Sequence, residues 1–374
     1  MLETYIRVTL FVVFLLVFIV QLYYLISNHK SLSAYVVPDE LPKVKIPISV
    51  IISARNEAKN LNKYLPFILQ QNYPDFEVVV VNDCSSDSSD LVLDEFKETY
   101  PNLKVVTITE HVRFKTGKKF ALTLGIKAAK NEHLLFTDAD CEPVSTNWIT
   151  RMAAHFNEDN VQLVLGYSPY YKTGNFLNSL IRFETLKTAI NYLSAALNGD
   201  PYMGIGRNMA YTKTLFFSNK GFAAHMHVIS GDDDLFVNQN ATATNTAIEI
   251  NPESFVYTPA KANLHGLYRQ KKRHMGVGKL YKNSHRRMLS FDAISGFLFY
   301  ALFICYLAVY FEPLLALGLF VFRWIAQILV YRKTFKKLNA ASQLWYLPFL
   351  DFVYYIYINV FGLIGTFVKT TQWK

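Results

Sequence analysis

Two carboxylates one residue apart, Asp138 and Asp140, directly follow the apolar stretch Leu134–Phe136. An apolar run entering an Asp-x-Asp pair reads as a buried strand whose C-terminal tip aims carboxylates at a ligand, and open α/β sheets bind ligands at that edge. Paired carboxylates there suit a hard divalent cation, Mg2+ or Mn2+, completed by the phosphate oxygens of a nucleotide diphosphate. Polar clusters also follow two other apolar runs: Arg55, Asn56 and Glu57 after Ile48–Ala54, and Asn82–Asp87 after Glu77–Val81. Asn, Asp and Ser favour turns through local backbone hydrogen bonds, which accounts for one such tip. Three at one sheet edge point to a nucleotide, with Asp83 able to accept hydrogen bonds from a base or ribose. A further acidic cluster, Asp232, Asp233 and Asp234, sits between Ser230-Gly231 and Leu235-Phe236-Val237, a turn leading into a buried helix.

The elements that must position these groups alternate. Strands are predicted at Ile48–Ala54, Glu77–Val81, Val105–Ile108 and Leu134–Thr137, and helices at Asn60–Gln70, Ser88–Thr99 and Lys118–Ala129. Strand, helix, strand in this order predicts an α/β fold with a mostly parallel central sheet and crossover helices. No Walker-type G-x-x-x-x-G-K-[ST] and no strand-linked G-x-G-x-x-G occurs, so ATPase and dehydrogenase readings lose their main support. Gly204-x-Gly206 and Gly276-x-Gly278 read as turns. His225 and His227 read as ordinary loop histidines, and the Asn240-Ala-Thr sequon is expected to be silent in a cytoplasmic domain.

Hydrophobic residues make up 51% of the 374-residue chain, and the mean hydropathy is +0.14. The excess lies at the two ends. Tyr5–Ile26, Ile294–Tyr331 with a turn at Glu312-Pro313, and Leu344–Val368 are long and apolar enough to cross a bilayer. The net charge of +9 is also localised: from Arg269 to Arg287 there are eight Lys/Arg and no acidic residue. Positive charge beside a membrane helix marks the cytoplasmic side and contacts lipid headgroups, so no nucleic-acid partner is expected. Cys84, Cys141 and Cys305 have no metal-ligand spacing, which disfavours structural zinc and a disulfide framework. The partition expected is a membrane helix over 1–28, a linker over 29–46, a cytoplasmic domain over 47–268, a basic juxtamembrane segment over 269–293, and about three membrane helices over 294–374.

The segments VIISARNE, VVVVNDCSSD, TGKKFALTLGIKAA, LLFTDAD, GIGRNMAY and SGDDDLF, followed by Gln270-x-x-Arg273, occur in the order seen in the membrane-bound branch of the family 2 glycosyltransferases. The chain resembles that family over roughly residues 47–275. The resemblance implies a GT-A fold, a nucleotide-diphosphate sugar donor and a divalent cation in a hexosyl- or N-acetylhexosaminyl-transferase. By the same resemblance Glu57 and Asp83 lie around the nucleoside, and Lys118 lies near the donor. Asp138 and Asp140 hold donor and metal. Gly206, Arg207, Asn208 and Gln270 line the acceptor side. Asp232 is the base, with Asp233 as the neighbouring register, and Arg273 stabilises the departing diphosphate. Two positions depart from the family pattern: Gly231 stands where a Glu is expected, and His274 replaces the Trp of the Q-x-x-R-W signature of processive polymerases.

The chemistry supports these roles. A sugar hydroxyl is a poor nucleophile at neutral pH and needs a carboxylate to take its proton, while charge growing on the diphosphate needs cations. One base and one stabilised leaving group make an inverting single displacement onto a lipid-linked or glycan acceptor at the membrane. The rival readings are a processive polysaccharide synthase, which would need subunits to associate into a channel, and a nucleotide-sugar-sensing subunit of an envelope assembly complex.

Overall fold

The computed structural model describes residues 2–109, 117–274, 276–308 and 313–367. Helix α1 (Leu2–Tyr23) runs through a π-helical turn at Tyr24–Asn28 into α2 (Lys30–Ala34). The helical run thus enters the segment expected to be linker. Leu32 is fully buried, and the Lys337 ammonium donates to the carbonyls of Leu32 and Ser33 at 3.0 and 2.7 Å, holding the helix end with a cation.

The middle of the chain then builds β1 (Ile48–Ala54), α3 (Ala58–Leu69), β2 (Phe76–Asp83), α4 (Ser89–Thr99), β3 (Leu103–Ile108), α5 (Lys118–Ala128) and β4 (His133–Asp138). Each expected strand and helix is present: β1 has the expected bounds, β2, β3 and β4 run one or two residues beyond theirs, and the ends of the three helices differ by no more than two residues. It continues through β5 (Glu142–Pro143), α6 (Trp148–Ala154), β6 (Leu163–Leu165), α7 (Phe176–Leu197), β7 (Met209–Thr212), α8 (Lys213–Ser218), α9 (Asp234–Asn240), β8 (Thr246–Ile248) and β9 (Val256–Tyr257). The main sheet has the order β3-β2-β1-β4-β7-β6-β8 and is parallel except around β7, while β5 and β9 form a small separate ribbon. β1 is an apolar run buried along nearly its whole length, as a strand covered on both faces must be.

Register explains why distant residues meet. β1 pairs with β2 and β4 so that Ala54 lies opposite Asn82 and Ser53 opposite Asp138, bringing three strand tips level at one edge. The chain runs outward from β1 through β2 to β3 and returns on the other side as β4. The crevice between β1 and β4 is therefore a topological switch point, where such sheets bind ligands. Helix α5 runs against the strands, so its N-terminal Lys118 stands at this same edge. Gly125 lets α5 lie close to the sheet, since a Cβ there would come within 2.9 Å of Ile51 and Val81 methyls. β7 runs antiparallel to β4 with Met209 opposite Phe136, which brings the preceding segment, 204–208, up to the tip of β4.

After the domain come α10 (Leu264–His274), α11 (Asn283–Ala308), α12 (Pro313–Lys337) and α13 (Leu347–Phe367). Four helical segments, Tyr5–Ala34, Asn283–Ala308, Pro313–Lys337 and Ala341–Ile364, are long and apolar enough to span a bilayer. Leu314 and Leu363 are 81% and 64% exposed, an apolar outer surface suited to lipid tails. α11 starts well before residue 294 because its first turns are not bare cationic loop: His285 and Asp292 are buried among other helices.

Candidate active site

A cavity of about 540 Å³ opens at the level strand tips. Glu57, Lys118, Asp138, Asp140, Arg207, Asp232, Asp233 and Gln270 all line it, although they come from six separate segments of the chain. Its centre is an ion-pair bridge. The Lys118 ammonium lies 3.0 Å from an Asp138 oxygen and 3.0 Å from an Asp232 oxygen, joining the strand-end carboxylate to the acidic turn before α9. Burial would favour the neutral amine, but the two carboxylates, with Asp233 behind them, keep Lys118 protonated and raise its pKa well above the ordinary lysine value.

Asp138, Asp140 and Cys141 bring one ligand atom each within 4.8 Å of one another. Burial and the nearby carboxylates push the Cys141 thiol pKa far up, so it stays protonated and leaves the two carboxylates as the oxygen donors. Burial and Asp138 raise the Asp140 pKa, with Arg207 easing the charge. A second positive charge would ease it further, so the pair fits a divalent cation. Arg207 itself is held with its guanidinium 4.7 Å from the Tyr170 ring centre, and Gln270 donates to the Tyr170 hydroxyl at 3.2 Å.

The three aspartates of the turn divide their work. Asp232 presents an oxygen to the cavity beside Lys118. Asp233 spends both oxygens on backbone, accepting from Gly206 N–H at 2.8 Å and from Asp234 N–H at 2.8 Å. It caps α9 and ties the 204–208 segment to the turn. Burial and Asp232 raise its pKa. Asp234 accepts from the Tyr281 hydroxyl at 2.8 Å, and burial with the adjacent Asp233 pushes its carboxyl up to about 8.

Not every expected residue reaches the cavity. Asn208 is a correction: its side chain is fully buried, accepting from Trp148 Nε1 at 2.9 Å and donating to the carbonyls of Tyr167 and Ser254 at 2.9 and 2.8 Å. With donors and acceptor all engaged it is a strut beneath the acceptor-side segment and has nothing left for an acceptor. Gly206 acts through its backbone, and its position is close because a Cβ would sit 3.2 Å from Asp233. Asp83 lies at the tip of β2 but does not line the cavity among the described residues. It is fully buried, neither oxygen takes a hydrogen bond from an N–H or O–H group of the described residues, and burial raises its pKa against the pull of Arg55. The side chains of Arg273 and His274 lie outside the described residues, though α10 borders the cavity through Gln270 and Lys271.

Sequence reading missed part of the wall. Glu184, Thr185 and Thr188 come from α7, and Lys271 pairs with Glu184 at 2.5 Å. α7 is buried on both sides, between β8 and the membrane helices α2 and α13, so it carries no polar stripe to reveal it. Lys119 was also overlooked: it is buried and donates to the carbonyls of His225 and Val228 at 2.7 and 3.0 Å, fastening the loop that leads to Asp232. His225 is buried against this loop, and burial with the Lys119 charge lowers its pKa to about 4, keeping it neutral. Neither His225 nor His227 joins the metal-competent group among the described residues.

The sequence model described as Glycosyl transferase family 2 matches residues 49–229. Glycosyltransferase AglE of Haloferax volcanii is 33% identical over 121 residues, 32% of this chain and 38% of that protein. The dolichyl-phosphate beta-glucosyltransferase ALG5D of Trichomonas vaginalis is 32% identical over 133 residues, 30% of this chain and 39% of that protein. The matched stretch thus spans about two fifths of these relatives' length. Among solved structures, the mannosyltransferase PcManGT from Pyrobaculum calidifontis, in complex with GDP-Man and Mn2+, superposes with a TM-score of 0.64. It covers 99% of this chain and 100% of its own at 17% identity, which establishes a shared fold.

Proposed function

The chain belongs to glycosyl transferase family 2, and from that premise we propose that it moves a sugar from a nucleotide-diphosphate donor to a lipid-linked or glycan acceptor presented at a membrane. The observation that carries this reading is the Lys118 bridge, which places the donor-side Asp138 and the candidate base Asp232 against one ammonium in one cavity. In the transfer, the acceptor oxygen bonds to the anomeric carbon as the bond from that carbon to the diphosphate breaks, and the hydroxyl proton passes to Asp232. Attack from the face opposite the leaving group inverts the anomeric centre.

Asp138 and Asp140 would hold Mg2+ or Mn2+, which when bound supplies charge neutralisation to the donor diphosphate. Lys118 keeps Asp138 oriented and supplies positive charge between the two functional carboxylates. Arg207, Lys261 and Lys271 add positive charge around the cavity, and Arg273 is assigned to the same task by its place in the Q-x-x-R segment. Glu57, which lines the cavity, is assigned to the nucleoside; Asp83 is assigned there only by its place in the VVVVNDCSSD segment, since its buried side chain does not line the cavity among the described residues.

The acceptor side is argued from the wall opposite. α7 and α10 line the cavity and pack against the spanning helix α13, so the cavity is continuous with the membrane-facing part of the protein. An acceptor with a polar head and a membrane-held tail fits that approach. The Arg269–Arg287 run and the cluster Arg332, Lys333, Lys336 and Lys337 lie at ends of the spans, and by the positive-inside tendency this supports a cytoplasmic orientation for the catalytic domain. Cysteines introduced at Asp39 and Lys333 should be unreactive toward impermeant maleimide in intact cells and reactive after permeabilisation; labelling in intact cells would reverse the orientation.

The test of function is a panel of nucleotide sugars offered to the detergent-solubilised chain with Mg2+ or Mn2+, read as thermal stabilisation, donor hydrolysis and transfer to membrane lipid extract or soluble glycan. One donor is expected to stabilise and turn over, and the product should carry one or a few sugars because His274 replaces the Trp of processive enzymes. Binding without hydrolysis or transfer would remove the enzymatic reading.

A further inference from the structure

Beyond the catalytic cavity, the strongest concentration of buried charge lies where the catalytic domain meets the spanning helices. Lys187 of α7 is 1% exposed and Asp351 of α13 is 0% exposed, and the ammonium stands 3.6 Å from Asp351 Oδ1. Among the described residues that oxygen has no hydrogen-bond partner, and Lys187 is the charge that faces it. Lys187 also donates to the Tyr331 hydroxyl of α12 at 3.1 Å and sits within 5.6 Å of the ring centres of Tyr331, Tyr354 and Tyr355.

The other Asp351 oxygen gathers the remaining spans. It accepts from Arg323 at 2.9 Å, Gln327 at 3.1 Å and Tyr300 at 2.8 Å. Arg323 also reaches Gln21 of α1 at 2.8 Å, Gln21 donates to Ser295 of α11 at 2.8 Å, and Asp292 accepts from Tyr355 at 3.1 Å. Lys187 and Arg323 balance Asp292 and Asp351 in formal charge. All four spans are thus linked to one carboxylate, α1 through Arg323, and among the described residues the only cation the catalytic domain contributes to this balance is Lys187. Ionisable groups within a membrane bundle are costly unless paired, so this lysine has one favourable seat.

Lys187 lies between Thr185 and Thr188, which with Glu184 line the cavity. Seating Lys187 therefore sets the rotation and height of the α7 face that forms the acceptor-side wall. We infer that Lys187, through Asp351, is a positioning residue that docks the catalytic domain on the spanning helices in the register needed for the acceptor. The consequence for turnover rests on the glycosyl-transfer reading above; the docking itself does not.

The experiment uses the full-length protein in lipid nanodiscs. Lys187→Met keeps the aliphatic bulk and removes the charge. It is expected to speed amide exchange over 180–190 without changing β1 and β4, and to raise acceptor KM on the order of tenfold or more with donor hydrolysis unchanged. The double variant Lys187→Met/Asp351→Asn restores charge balance and should recover exchange protection and most of the acceptor KM. A merely stabilising lysine would instead lower hydrolysis and transfer together, and no rescue by the double variant would equally overturn the inference. Wild-type exchange and acceptor KM in Lys187→Met would do the same. If that variant does not accumulate folded, Lys187→Arg decides: the larger planar head should shift acceptor KM severalfold with hydrolysis intact, and an unchanged KM refutes the positioning role. Absence of transfer by the wild-type chain would sink the functional reading while the exchange measurements still judge the docking.

Discussion

Asp232→Asn separates the base from its neighbours most sharply. The substitution keeps shape and leaves Lys118 its second partner, Asp138, at 3.0 Å, but an amide cannot take the acceptor proton. General-base catalysis contributes about 10²–10⁴-fold, so kcat should fall by that factor, or about 3–5 kcal/mol in the barrier. Donor affinity should hardly move, because the lost group acts on the acceptor. Stability should stay near wild type: one ion pair to Lys118 is lost, while the charge that raises the Asp233 pKa is relieved. Asp233→Asn should do the reverse. Both Asp233 oxygens accept backbone N–H at 2.8 Å, and an Asn would turn its own amide N–H group toward one of those donors. An unsatisfied buried donor costs about 1–3 kcal/mol, which for a domain of this size lowers Tm by roughly 2–4 °C per kcal/mol. Steady-state transfer and thermal unfolding on both variants check the pattern. An Asp232→Asn enzyme within about threefold of wild type beside a stable, inactive Asp233→Asn enzyme would move the base by one residue, and full activity in both would end the assignment.

Donor turnover is expected to require Mg2+ or Mn2+, to stop in excess EDTA, and to lose metal-dependent donor binding by calorimetry in Asp140→Asn; full activity in EDTA would remove the metal role. The Asp234 carboxyl, raised to about 8, sets a pH dependence whose sign follows from linkage. An unfolded Asp ionises near pH ~4, so between about 4 and 8 the folded state alone holds this proton and its contribution to stability falls as pH rises, levelling off above that window. Asp234→Asn mimics the neutral acid and should gain on wild type in urea midpoints between about pH 5 and pH 8; parallel curves would contradict the raised carboxyl. Asn208→Ala strands Trp148 Nε1 and two carbonyls, a loss of about 1–3 kcal/mol for each group left buried and unsatisfied, with acceptor KM unchanged in the protein that folds. An acceptor KM effect without destabilisation would return Asn208 to the acceptor site.

The sequence by itself determined the parts whose information is local. The apolar runs of β1, β2 and β4, the polar tips that follow them and the long lipophilic helices are visible in the chain, because strand burial, turn chemistry and bilayer thickness act on contiguous residues. Asp138, Asp140 and Asp232 could be picked out on type and order. What only the tertiary structure decided is which atoms are spent and which are free. Asp232, Asp233 and Asp234 are identical in type and adjacent, yet one faces Lys118, one caps α9 and one meets Tyr281. Asn208 looked like an acceptor contact from its segment, and the fold turned its amide inward onto Trp148. α7 carries part of the cavity wall on one side and Lys187 on another, but a helix buried all round has no amphipathic stripe and gives no periodic signal. Its partner Asp351 stands 164 residues further along the chain. Such roles arise from pairings between distant residues, which exist only once the sheet has set its register and the spanning helices have closed around a shared charge.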